Sequence, residues 1–125
     1  MSMADESYKD YILDLFIGCE GVSSKRMFGG WGIFQNGIIF GIIIDGALYF
    51  KVDETNQKDY EDYDSHAFTY IRKDKEVTLS YWLVPEEVIE DMEILLDWAL
   101  KSLDINIALD DIKAKKAKKA QKSKV

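Results

Sequence analysis

"NGIIFGIIIDG", residues 36–46, decides the fold of this chain. Asn36-Gly37 and Asp45-Gly46 are pairs that suit tight β-hairpin turns, because both turn positions accept positive φ. Between them, Ile38 to Ile44 is apolar at every position except Gly41. A run of that length between two turn signals reads as one strand. Its lack of alternation makes it central, with both faces covered or one face meeting a partner. Hairpins on either side require flanking strands, and residues 31–35 and 47–52 supply them. In the latter, Leu48, Phe50 and Val52 alternate with Ala47, Tyr49 and Lys51, which implies one buried and one wetter face. The three strands form a β-meander.

Working outward, residues 4–18 predict an amphipathic helix, with Tyr8, Tyr11, Ile12, Leu15 and Phe16 on one face. Gly18 and Gly21 stop it. The glycines of "KRMFGGWGIF", residues 25–34, then turn that helix into the first strand. A dinucleotide fingerprint needs its glycines after a strand and before a helix. Here the order is reversed, and Gln35 stands where the third glycine belongs. The expectation is that Gly29 and Gly30 permit unusual backbone angles and that Gly32 marks a bulge or close packing. After the meander come a short polar helix over 55–63, capped by Asp53 or Thr55, and strands over 67–72 and 76–83 joined by a turn at "KDK". Pro85 opens a helical region. Asp91 caps a longer helix to about residue 112, with Leu95, Leu96, Ala99, Leu100 and Leu103 as its apolar face.

The 125 residues suit one domain, and 47% hydrophobic content supplies its core. Cys19 is the only cysteine, so no disulfide forms within one chain, which fits a reducing, cytoplasmic setting. The polar, acidic start does not read as a signal peptide. The longest apolar run falls far short of the roughly 20 residues of a membrane helix, so no membrane partner is expected. The net charge of −7 hides an asymmetry. Residues 1–112 hold nine basic and all 23 acidic residues, a net −14, whereas seven lysines follow. The acidic body should repel nucleic acid, and the lysine tail attracts polyanions. Residues 113–125 read as a disordered, lysine-rich tail, because nothing there would bury a helix.

Chemistry-bearing constellations are scarce. His66 is the only histidine, zinc-ligand spacing is absent, and no spacing selects a pair of carboxylates. The expectation is a protein that is not an enzyme and has no metal or cofactor. Arg26 reads first as an internal ion pair and second as a clamp for a partner's carboxylate. Met27 and Phe28 read as core, with Met adaptable at interfaces. Alternation puts Tyr81 and Leu83 on one sheet face, and Ser80 and Trp82 on the other. Both faces therefore carry large aromatics, and an exposed one would mark an interface. Whether helices and loops cover both faces stays open. The candidate partner-binding residues are Arg26, Met27, Phe28, Trp31, Tyr81 and Trp82. Lys113, Lys115, Lys116, Lys118, Lys119, Lys122 and Lys124 are candidate polyanion contacts, each steepening salt dependence by about 0.9 in log–log slope. No aromatic is interleaved with them, so any nucleic-acid contact is weak and depends on the tail.

"RMFGGWGIF", "DGALYFKVDETN", "AFTY" and "LSYWLVPEEVIED", in this order, resemble the N-terminal domain of the TfoX/Sxy family, over about residues 13–108. The resemblance implies an α+β, two-layer sandwich with a five-stranded antiparallel sheet, order α-βββ-α-ββ-α, similar to secretion chaperones and YjbR-like proteins. It also implies a regulatory role in natural competence (DNA transformation), with transcriptional co-activation through a protein partner such as the cAMP receptor protein. The family's full-length regulators carry a second, helical domain where this chain has its lysine tail. The resulting expectation is a single domain over 1–112 that acts by protein contacts, as a homodimer or with a transcription factor. The alternative is a nucleic-acid accessory protein working through the tail.

Overall fold

A computed structural model of the chain describes residues 3–27 and 29–122, with side chains described over 6–27 and 29–117. Helix α1 (Met3–Leu15) precedes strands β1 (Val22–Met27), β2 (Gly30–Gln35), β3 (Ile38–Ile44) and β4 (Ala47–Lys51). Helix α2 (Gln57–Glu61), strands β5 (Ala67–Arg72) and β6 (Lys75–Leu83), and helices α3 (Glu86–Ile89) and α4 (Met92–Lys122) complete the order. The antiparallel sheet runs β1-β2-β3-β4-β6-β5. The class is the expected α+β, with helices layered on an open sheet.

The sheet has six strands rather than five. Residues 22–27, expected as part of the passage from helix to sheet, form edge strand β1 on β2. "VSSKRM" has polar residues at four of its six positions, as suits a strand with one neighbour, so no apolar period advertises it. The glycines at 29 and 30 therefore turn strand into strand. Gly29 has φ +74 as expected, but Gly30 owes its place to close approach, since a Cβ there would sit 1.9 Å from the Ile43 carbonyl oxygen.

The two predicted turns hold. Asn36 and Gly37 have φ 50 and 84, and Asp45 and Gly46 have φ 51 and 72. Strand β3 sits inside the sheet, and a bulge explains its unbroken apolar run. Ile33 pairs with Gly41 but Phe34 pairs with Ile39, which leaves Phe40 as the extra residue. Phe40 turns into the helical layer, with its ring 5.6 Å from Phe16 and 5.8 Å from Phe50. A Cβ on Gly41 would meet the Phe50 ring at 2.9 Å, so glycine lets that ring lie over the strand.

The core lies between the helices and one sheet face: Ile12 of α1, Phe16 just after it, Tyr60 of α2, Val88 and Ile89 of α3, and Leu95, Trp98 and Leu103 of α4 pack on Ile33, Ile43, Leu48 and Phe50. On α4, Trp98 takes a core place, while Leu100, expected on the apolar face, is 56% exposed. Asp91 caps α4 as predicted, its Oδ1 accepting the Ile94 amide. Asn56 precedes α2 and folds back, its Oδ1 accepting the Asp53 amide and its Nδ2 donating to the Lys51 carbonyl. Helix α4 continues to Lys122, past the expected end near 112. Alanine and lysine are strong helix formers, and Lys115 pairs with Asp111 one turn back at 3.3 Å.

Candidate functional site

The core residues of the helices pack on one face of the sheet, and among the described residues only the distal part of α4 reaches the end of the other. Pairing carries one row of residues across that second face: Lys25 opposite Gly32, Gly32 opposite Ile42, Ile42 opposite Tyr49, and Tyr49 opposite Leu83. Alternate residues of a strand share a face. Ile44 of β3, Phe68 and Tyr70 of β5, and Val77, Leu79 and Tyr81 of β6 therefore join this row's side, with Tyr70 opposite Val77. The Tyr49 and Phe68 rings meet edge to face at 5.1 Å, and Phe68 stacks with Tyr70 at 6.0 Å. A recess of about 320 Å³ lies among Ile44, Phe68, Tyr70 and Leu79. Ile42 at the centre is 2% exposed and Tyr70 is 37% exposed, so the face closes over its middle and opens toward the β5–β6 end.

Charge is segregated between the layers. The six strands contain five basic residues, Lys25, Arg26, Lys51, Arg72 and Lys75, and one acid, Glu76. Lys25, Lys51, Arg72 and Lys75 belong to the helix-free face, by pairing with Gly32, by pairing with Tyr81, and by pairing with each other. Glu76 alternates to the opposite face. The acids of the chain lie in the helices and connections, as with Asp10 and Asp14 in α1 and Glu86 and Glu87 in α3. The charged strand residues on the helix-free face are thus all basic, while Asp45, in the β3–β4 turn, is the acid that acts on Tyr49. Burial pulls the Lys51 ammonium below the usual lysine range against the opposing pull of Asp53. Lys51 donates to the Ser80 hydroxyl and stands 5.5 Å from the Tyr81 ring. Burial, with Asp45 adding, raises the Tyr49 phenol.

Helix α4 borders one end of this face. Trp98, Ser102 and Ile105 form a buried stripe, and Leu109 and Ile112 continue it at the same spacing while 46% and 49% exposed. They line a groove of about 520 Å³ with Phe34, Ile38 and Ile39, and Lys51, Lys113 and Lys116 also line it. The Asn106 amide holds the helix there, donating to the Ile39 carbonyl at 2.8 Å and the Tyr81 hydroxyl at 3.4 Å.

The residues singled out from sequence fall into two groups. Met27 and Tyr81 lie on the helix-free face. Arg26 and Trp31 pair with each other and belong to the helix side, where Trp31 shares a row with buried Ile43 and Leu48. Trp82 also faces the helices, its ring 6.3 Å from Tyr60. Phe28 lies outside the described residues. Arg26 makes no ion pair among the described residues. Its guanidinium stands 5.1 Å from the Trp31 ring, with the Lys9 ammonium 4.5 Å from the same ring. Lys113, Lys115 and Lys116 are exposed on α4. The side chains of Lys118, Lys119 and Lys122, and all of Lys124, lie outside the described residues. The sequence reading missed Ile44, Tyr49, Phe68, Tyr70 and Leu79 as a group. The alternation in "AFTYIR" and "EVTLSYWL" is the signal that finds them, once the strand order brings β5 and β6 beside β4.

Among the described residues no three His, Cys, Asp or Glu side chains are placed to hold a metal ion, and no helix is long and apolar enough to cross a membrane. No curated protein matches the chain. The TfoX N-terminal domain matches residues 14–105, from the last turn of α1 into α4, and so takes in every strand of the sheet and the whole of its helix-free face. The chain belongs to the TfoX N-terminal domain family.

Proposed function

We propose that this chain is a non-enzymatic regulatory domain that acts by protein contact through the helix-free face of its sheet, in the competence-related setting for which its family is named. One observation carries the reading: an apolar, aromatic face opens around Tyr70 with no helix packed on it, rimmed by charged residues. Apolar patches with polar rims on otherwise well-folded domains are characteristic of interaction surfaces. Co-activation of transcription through a bound transcription factor is the role this face would serve.

A photo-crosslinking residue placed at Tyr70, and separately at Glu90 on the helical side, tests the proposal in cells. The expected result is a discrete protein adduct from position 70 and none from position 90. Adducts from position 90 alone, or from neither, would overturn it.

A second reading is favoured by the helix that carries Lys113, Lys115 and Lys116 beyond the body. In it, this lysine-rich end contacts nucleic acid without sequence preference. DNA binding by the full chain, lost in a 1–112 truncation and weakened steeply by salt, would support it. Equal binding by the truncation would sink it.

A further inference from the structure

We infer that the occupant of the helix-free face is an acidic polypeptide segment with apolar anchors. The inference rests on the reading of this face as a protein-contact surface and adds the chemistry of what it takes. The recess among Ile44, Phe68, Tyr70 and Leu79 is lined by two aliphatic and two aromatic side chains. It therefore accepts an apolar side chain rather than a charge. The cations lie outside it on the same face, with Asp45 of the β3–β4 turn as the acid that acts on Tyr49. Lys25 lies on edge strand β1, Arg72 and Lys75 lie at the far hairpin, and Lys51 lies between, at the end of β4. Six strands span about 24 Å. A partner crossing the sheet would thus meet cations at its start and at its end and apolar surface in the middle. Complementary charge at the rim with apolar burial at the centre is how such an interface gains both encounter rate and register.

Two other occupants fit less well. A second copy meeting this face about a two-fold axis would present the same patch to itself, which brings one set of basic residues toward another. Like charges across a contact are costly. Single-stranded nucleic acid needs flat aromatic faces turned to solvent. Here the Tyr49 and Phe68 rings are engaged with each other at 72°, Tyr70 is stacked on Phe68, and Ile44 and Leu79 offer no ring at all. The acidic helical layer adds repulsion on the other side of the domain.

Four probes test this on the full chain by fluorescence anisotropy: a labelled peptide alternating Leu and Phe with Glu, its Lys counterpart, its Ser counterpart with the acids kept, and an oligothymidylate. The acidic, apolar peptide should bind, and the other three should bind at least about tenfold more weakly. The double variant Arg72→Glu/Lys75→Glu, at an exposed hairpin, should lose about tenfold toward that peptide while melting at an unchanged temperature. Equal binding of the Lys counterpart, preference for the oligonucleotide, or dimerisation that buries Tyr70 would overturn the inference. Protein adducts at position 70 that persist at full yield in the double variant would overturn it too, while leaving the face as a contact surface. A lack of any adduct would instead remove the underlying reading.

Discussion

Tyr49 and Phe68 meet ring edge to ring face at 5.1 Å, on the side of the sheet away from the helical core. They lie 19 positions apart in sequence, on β4 and β5, with β6 between their strands. Their contact marks where an apolar surface, built by strands alone, passes from the closed centre at Ile42 to the open end at Tyr70. Phe68→Ser combined with Tyr70→Ser should therefore cost about 1–2 kcal/mol of stability, since both side chains are already partly wet. Phe50→Ala, on the core side, should cost about 3–5 kcal/mol. Urea unfolding monitored by circular dichroism separates the two, and only the first pair should remove partner binding from a chain that remains folded.

Gly30 and Gly32 differ in what a methyl group would strike. At Gly30 the obstacle is the Ile43 carbonyl oxygen, 1.9 Å away and fixed in the sheet. At Gly32 it is the Met27 sulfur at 2.3 Å and the Phe34 ring at 2.8 Å, and a thioether can swing aside. Gly30→Ala should cost about 3 kcal/mol and Gly32→Ala about 1 kcal/mol. Equal midpoints in urea would contradict this account of the motif.

Asn106 joins α4 to the sheet through bonds to Ile39 and Tyr81. Asn106→Leu removes both and leaves the Ile39 carbonyl without that donor, at a cost of about 1–2 kcal/mol. The distal half of α4 should loosen first. Hydrogen exchange of residues 105–117 should accelerate well before that of 92–100.

Burial, with Glu86 and Tyr11 adding, pushes the Tyr8 phenol from 10.0 up to about 12. Burial moves Tyr60 in the same direction and further. Between pH 10 and 12 the unfolded chain has released a proton from Tyr8 that the folded chain still holds. Stability from this group is therefore complete below pH 10 and falls as pH rises toward 12. Melting temperature should decline over that window, and Tyr8→Phe should flatten part of the decline. A slope unchanged by the substitution would contradict the assignment.

Much of the fold was legible because it was written in local chemistry. Asn36-Gly37 and Asp45-Gly46 fixed both turns, and Ile38–Ile44 emerged with the bounds its composition implied. Strand β1 was hidden because "VSSKRM" lies at an edge and needs no apolar period. The end of α4 is not legible from burial, because alanine, lysine and the Lys115–Asp111 ion pair sustain the helix where nothing buries it. The site was harder. The sequence placed Tyr81 and Trp82 on opposite faces, but not which face the helices take. The abundance of acids points to an ion pair for Arg26, whereas β1 sets it beside Trp31. The gathering of Lys25, Lys51, Arg72 and Lys75 on one face joins both sheet edges, and only strand order reveals it.

Carbene footprinting of the full chain, alone and with host-cell extract, tests the central claim most directly. The account predicts labelling at Phe68, Tyr70 and Leu79 in the free chain and protection of all three in the extract, with α3 labelled equally in both. A face unlabelled in the free chain, or labelled to the same extent with and without extract, would contradict it.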